Sequence, residues 1–300
     1  MSYTENYQKW LDFAELPAYL RDELVAMDEK TKEDAFYTNL EFGTAGMRGL
    51  IGAGTNRINI YVVRQATEGL AQLIDSKGEE AKKRGVAIAY DSRHFSPEFA
   101  FESAQVLAAH GIKSYVFESL RPTPELSFAV RHLHTFAGIM VTASHNPAPF
   151  NGYKVYGEDG GQMPPADADA LTDYIRAIEN PFTVKLADLE ESKASGLIEV
   201  IGENVDAEYL KEVKDVNINQ DLINEYGRDM KIVYTPLHGT GEMLARRALA
   251  QAGFDAVQVV EAQAVPDADF STVKSPNPEN QEAFALAEEL GRKVDADVLV

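Results

Sequence analysis

The 300 residues contain no cysteine. That excludes a disulfide framework, thiol catalysis and any thiolate metal site. Basic residues are scarce: 28 lysines and arginines stand against 48 acids, for a net charge of −20. A phosphate-backbone partner would be repelled, which argues against nucleic acid and against an anionic membrane. No apolar run approaches the ~18 residues of a membrane span. The start, Met1-Ser2-Tyr3-Thr4-Glu5, has neither the basic nor the apolar region of a secretory signal. A cytoplasmic protein is expected. There is no GxxxxGK[ST] and no GxSxG, which argues against a P-loop kinase and an α/β-hydrolase. Apolar types at 45% and charged types at 25% are an ordinary globular balance. The length suggests two domains, each large enough for its own core.

What is present alternates between strand and helix. Residues 1 to about 40 read as helical and acidic, with Trp10, Leu11, Phe13 and Leu20 as packing positions. The next helix places Val63, Ala66, Leu70 and Leu73 on one face, with Thr55 or Asn56 as its cap. Short apolar strands are expected at 86–90, 115–117 and 136–141. Between them Ser96-Pro97-Glu98 and Thr123-Pro124-Glu125 start helices, each with a hydroxyl at the cap and proline in the first turn. Residues 166–178 form an amphipathic helix, and the polar, aperiodic stretch 190–196 reads as a linker. A second unit starts near residue 200, with strands at 232–235 and 256–260 around a helix from Glu242. Residues 274–280 read as a rigid polar loop capping the next helix. An apolar strand ends the sequence at Val300, so the chain reads as a fragment. Strands alternating with helices predict a parallel or mostly parallel sheet covered by helices.

The chemistry centres on Ala137-Gly138-Ile139-Met140-Val141-Thr142-Ala143-Ser144-His145-Asn146-Pro147, with Asn151-Gly152-Tyr153-Lys154 soon after. A continuous apolar run is the mark of a buried parallel strand. Ligands of such sheets bind outside the carboxyl ends of the strands, where Ser144 would present its hydroxyl. A nucleophilic serine needs a base, and Lys154 and His145 are the candidates nearby in sequence. The plainer alternative is that Asn146-Pro147 is a turn and the serine bonds to local backbone. Phe42-Gly43-Thr44-Ala45-Gly46-Met47-Arg48-Gly49 offers glycines for close backbone approach and an arginine fork for phosphate. It reads equally as a strand end with a glycine turn. Glu158 and Asp159 lie in the Gly-rich turn 157–161 and read as solvated acids. Gly239-x-Gly241 after a strand imitates a dinucleotide fingerprint, but Leu244 fills the third glycine position and Pro236-Leu237-His238 intervenes.

Taken together, the strings around Arg48, Ser144 to Lys154, and Thr235-Pro236-Leu237-His238-Gly239-Thr240-Gly241 resemble the signatures of the α-D-phosphohexomutases, the phosphoglucomutase/phosphomannomutase family. The resemblance covers the whole chain and is strongest with the longer bacterial type. It implies two consecutive three-layer α/β/α domains with mixed, mainly parallel sheets, spanning 1–200 and 201–300. It implies an isomerase that interconverts hexose 1-phosphate and hexose 6-phosphate through a phosphoserine and a bisphosphorylated sugar. Ser144 would carry the phosphate, Lys154 act as base and His145 assist. Arg48, Asn146, Lys154 and His238 would hold substrate or phosphate. The family's magnesium ion would touch this chain through the phosphate on Ser144, its aspartate ligands lying beyond residue 300. Glucose 1,6-bisphosphate would be activator and intermediate, and a sugar phosphate the small-molecule partner. The fragment itself would then not turn over. Mannose or pentose specificity, and a non-catalytic sugar-phosphate or nucleotide-binding module, are the alternatives.

Overall fold

Residues 2–43 and 46–300 are described by the computed structural model; Met1, and Thr44 and Ala45 of the glycine-rich stretch, lie outside the described residues. Helices α1 (Tyr3–Leu11), α2 (Ala18–Ala26) and α3 (Glu29–Phe36) open the chain. Ser2 and Glu5 form a reciprocal capping box on α1. Trp10 meets Phe36, Tyr61 and Phe182 edge-on at 5.8, 5.6 and 5.3 Å, which fastens these helices to the domain behind them.

Next come β1 (Met47–Leu50), α4 (Ile60–Lys77), α5 (Glu79–Arg84), β2 (Val86–Tyr90), α6 (Ser96–Ala109), β3 (Ser114–Phe117), α7 (Thr123–His132), β4 (Ala137–Val141), β5 (Phe150–Tyr156), α8 (Pro165–Ala177), α9 (Leu189–Ala194) and β6 (Ile198–Ile201). The strands form a six-stranded sheet among the described residues, in the order β1-β5-β4-β2-β3-β6. β4, β2, β3 and β6 run parallel, and β5 and β1 are antiparallel to their neighbours. Along β2, Val86, Ile88 and Tyr90 face a core shared with α4, α6 and α8, whereas Ala87 and Ala89 face α7. Both faces of the sheet are thus covered, giving the α/β/α layering. Each large aliphatic side chain fully buried there stabilises the fold by about 1.5–3 kcal/mol relative to exposure.

The remaining elements are α10 (Glu203–Asp215), α11 (Gln220–Tyr226), β7 (Ile232–Tyr234), α12 (Glu242–Ala252), β8 (Val257–Val259), α13 (Glu261–Ala264), α14 (Ala285–Val294) and β9 (Val298–Leu299). β8, β7 and β9 form an all-parallel three-stranded sheet around Val233.

Several local expectations shift. The cap of α4 is Asn59, whose side chain accepts from the Tyr61 and Val62 N–H groups at 3.1 Å. Ser96 and Thr123 are the first helical residues rather than caps, and Ser96 spends its hydroxyl on Asp91. The stretch 190–196 is mostly helix: α9 is closed at its start by Asp188, and β6 then joins the first sheet. The loop 274–280 gives no side-chain cap to the helical turn after it.

Candidate active site

β2 and β4 lie side by side, while the chain leaves β2 towards β3 on one flank and returns to β4 on the other. Their carboxyl ends therefore form a topological switch point, where open α/β sheets bind ligands. Asp91 succeeds one strand and Thr142 the other. The Thr142 hydroxyl donates to Asp91 Oδ2 at 2.6 Å and accepts the Ser144 N–H at 2.9 Å. Ser144 is exposed and sits at φ 57°, in the left-handed region that a side chain enters only when held there.

What holds it is Arg93, only 2% exposed. Its guanidinium donates to the carbonyl oxygens of Ser144 (2.8 Å), Asn146 (2.6 Å), Pro147 (3.0 Å) and Phe150 (2.9 Å). Its Nε lies 3.3 Å from Asp91 Oδ2, close enough for charge pairing without the alignment of a hydrogen bond. Asp91 Oδ1 accepts from the Arg93 N–H and the Ser96 hydroxyl at 3.0 and 2.7 Å. Burial pushes the Asp91 carboxyl up from the ordinary carboxylate range, against the pull of these donors and of the Arg93 charge. Asn151, also buried, ties the returning strand to the His94 carbonyl and to Ser96 at 3.0 and 2.9 Å.

Arg48 lies opposite Gly152 in the β1–β5 register, so Lys154, two residues on, faces the same side of the sheet. Arg48 donates to Asn146 Oδ1 at 2.6 Å, so Asn146 aims the arginine with its side-chain oxygen. Half-burial pulls the Lys154 ammonium down from the ordinary lysine value, and the Arg48 charge adds to it, with Asp91 acting in the opposite sense. His145 is exposed beside Ser144. The first domain therefore brings Ser144, His145, Asn146, Arg48 and Lys154 to one place. This arrangement offers a hydroxyl, a cation fork and an amine with raised access to its neutral form. That is equipment for phosphoryl transfer, which needs positioning and charge neutralisation above all.

His238 is different. It is 3% exposed, with Nδ1 2.8 Å from the Val265 carbonyl and Nε2 2.8 Å from Thr272 Oγ1. Both ring nitrogens are engaged, so the ring fastens a loop and has no free atom for a phosphate. The turn it belongs to repeats the Ser144 turn: Thr235 Oγ1 donates to Gln263 Oε1 at 2.6 Å and accepts the Leu237 N–H at 3.2 Å, with Leu237 at φ 49°. The Gly239 N–H in turn bonds back to the Pro236 carbonyl at 2.8 Å. Among the described residues no cluster of three or more His, Asp or Glu is placed to hold a metal ion. Glu158 bonds Arg84 at 2.8 Å and Asp159 bonds the Gly161 N–H at 2.9 Å. These residues do not fit a magnesium site. No helix of the described residues is long and apolar enough to cross a membrane.

Two family models match the chain. Residues 39–182 match phosphoglucomutase/phosphomannomutase α/β/α domain I, and residues 207–300 match domain II. The chain belongs to the phosphoglucomutase/phosphomannomutase family. It is 38% identical over 292 residues to a phosphoglucomutase of Staphylococcus epidermidis, covering 97% of this chain and 52% of that protein. It is 39% identical over 271 residues to one of Staphylococcus aureus, covering 90% and 47%. The chain thus spans about half the length of the curated relatives it matches. In fold it is similar to a phosphoglucomutase/phosphomannomutase family protein of Burkholderia thailandensis, with a TM-score of 0.65 at 20% identity over 87% of this chain and 52% of the other. The open form of parafusin, a phosphoglucomutase of Paramecium, superposes with a TM-score of 0.60 at 20% identity over 86% and 48%.

Asp91, Arg93 and Asn151 escape a motif search for reactive groups. A signal for two of them is present: Asp-x-Arg directly after a buried strand stands at the same sheet edge as Ser144. The partners of Arg93, however, are backbone carbonyls more than 50 residues away, as the Ser144 bond shows at a separation of 51.

Proposed function

We propose that this chain is the phosphoserine-bearing part of a hexose phosphate mutase acting on glucose 1-phosphate and glucose 6-phosphate. The observation that carries the reading is Ser144 itself. Its exposed hydroxyl stands on left-handed backbone at the switch point, with Arg48 and Lys154 beside its loop. The phosphoglucomutases at 38% and 39% identity support glucose over mannose or pentose.

In the proposed step a sugar monophosphate hydroxyl attacks the phosphorus on Ser144. Lys154 Nζ, neutral at the outset, takes the hydroxyl proton as the new P–O bond forms. The bond from phosphorus to Ser144 Oγ breaks, and the lysine returns a proton to Oγ, so the proton count is unchanged. His145 assists at the departing oxygen, and Arg48, aimed by Asn146, holds a phosphate. The bisphosphate turns round and gives its other phosphate back to Ser144. General base action of this kind contributes about 10²–10⁴-fold.

Incubation with glucose 1,6-bisphosphate and magnesium, with intact mass measurement and phosphopeptide mapping afterwards, tests this. A single phosphoryl mass on Ser144, absent in Ser144→Ala, is expected. Phosphate on Ser92 or Ser96 overturns the assignment. No phosphate at all favours a non-catalytic sugar-phosphate module.

A further inference from the structure

The segment 265–273 of the second unit reaches the support of the Ser144 loop. Asp269 Oδ1 lies 2.8 Å from His94 Nε2, and the Phe270 ring centroid lies 5.0 Å from the guanidinium carbon of Arg93. Phe270 is 5% exposed and holds a left-handed φ of 50°. Such a conformation in a bulky residue needs restraint from its surroundings. Asp267 provides it, accepting the Asp269 and Ser271 N–H groups at 3.0 and 2.8 Å and, through its carbonyl, the Phe270 N–H at 3.2 Å. His238 braces the same segment through Val265 and Thr272.

We propose that Arg93 is a positioning residue for Ser144 and that Phe270 sets its guanidinium from the second unit's side. The terminal nitrogens of Arg93 are spent on the carbonyls of the 144–150 loop, and its Nε faces the Asp91 charge. Its flat face is the surface left, and an aromatic ring is the group whose negative face suits a cation there. A buried guanidinium that tilts cannot keep its bonds to the Ser144 and Phe150 carbonyls, which lie at opposite ends of one loop. Docking of the second unit's segment therefore governs how well Ser144 is presented. The inference rests on the phosphate-carrier reading of Ser144 for its catalytic meaning, but the placement can be tested without it.

The test uses the full 300-residue chain and the variants Phe270→Leu and Phe270→Tyr. Leucine keeps the apolar filling and loses the π-face, whereas tyrosine keeps both. Hydrogen exchange of the 143–150 peptide, read by mass spectrometry, is expected to quicken about fivefold in Phe270→Leu and to stay within about twofold of wild type in Phe270→Tyr. Ser144 loading from glucose 1,6-bisphosphate should slow in the same pattern. Unchanged exchange in Phe270→Leu, or equal quickening in both variants, overturns the proposal. If Phe270→Leu does not fold, Asp269→Ala loosens the same docking from an exposed position, and unchanged exchange there overturns it equally. A wild type that takes no phosphate while the exchange pattern holds supports this placement and overturns the carrier reading alone.

Discussion

Thr142 Oγ1 donates to Asp91 Oδ2 at 2.6 Å and itself accepts the N–H of Ser144 at 2.9 Å. One side chain thus couples the carboxyl ends of two neighbouring strands to Ser144. Thr142→Val keeps the shape and removes the oxygen, leaving the Ser144 N–H without its acceptor. A loss of about 1–3 kcal/mol is expected in urea unfolding. An unchanged midpoint would show that the loop does not depend on this bond.

Lys154 sets the pH dependence of the proposed transfer. Burial and Arg48 lower its proton affinity, so the neutral base becomes available below the ordinary lysine value of 10.5. The rate of Ser144 loading should rise with pH to an inflection below that value. Lys154→Met should remove the inflection and slow loading by about a hundredfold or more. A wild-type profile that is flat through that range rules the lysine out as base.

Glu125, on α7, is fully buried beside Arg121 and Asp206. Its oxygens find no hydrogen-bond partner among the described residues, and Arg121 Nε stands 3.7 Å away. Burial, reinforced by Asp206, pushes the carboxyl up to about 9. A raised folded-state value means that stability is fully present below the ordinary value of 4.5 and is lost as pH rises through the folded one. Glu125→Gln should therefore flatten the stability–pH curve by at least about 1 kcal/mol between pH 4.5 and about 9. Parallel curves for the two proteins contradict this.

Gly152 sits where β5 passes between its neighbours. A Cβ there would lie 2.6 Å from the Thr142 oxygen and 2.8 Å from that of Met47, both backbone atoms. Gly152→Ala should cost about 1–3 kcal/mol, read by thermal denaturation. A variant as stable as wild type would mean that the strands can part without penalty.

Calorimetry of the unphosphorylated chain with magnesium chloride should show no tight stoichiometric binding, since the described acids form no oxygen cage. Saturation at equimolar metal would reveal a site elsewhere.

Much of this is legible in the sequence. The buried strands are contiguous apolar runs, and Ser144 comes soon after one of them. The cap positions differ from the expected ones because asparagine, serine and threonine can each bond locally in more than one way, and tertiary partners choose, as Asp91 does for Ser96. Helix α9 is six residues long and buries only Ser192, too little for a periodic signal. His238 suggests a ligand because an imidazole after a strand suits one; its engagement with Val265 and Thr272 is a tertiary fact.

The Ser144 and Leu237 turns share one wiring: a threonine hydroxyl bonded across to the neighbouring segment, and a left-handed residue two positions on. One copy displays a hydroxyl to solvent and the other tucks a leucine inside. The strained backbone is consequently a general way of ending a strand and does not owe its existence to catalysis. The proposed reactivity of Ser144 therefore needs only the choice of a single side chain on a turn whose wiring recurs at Leu237.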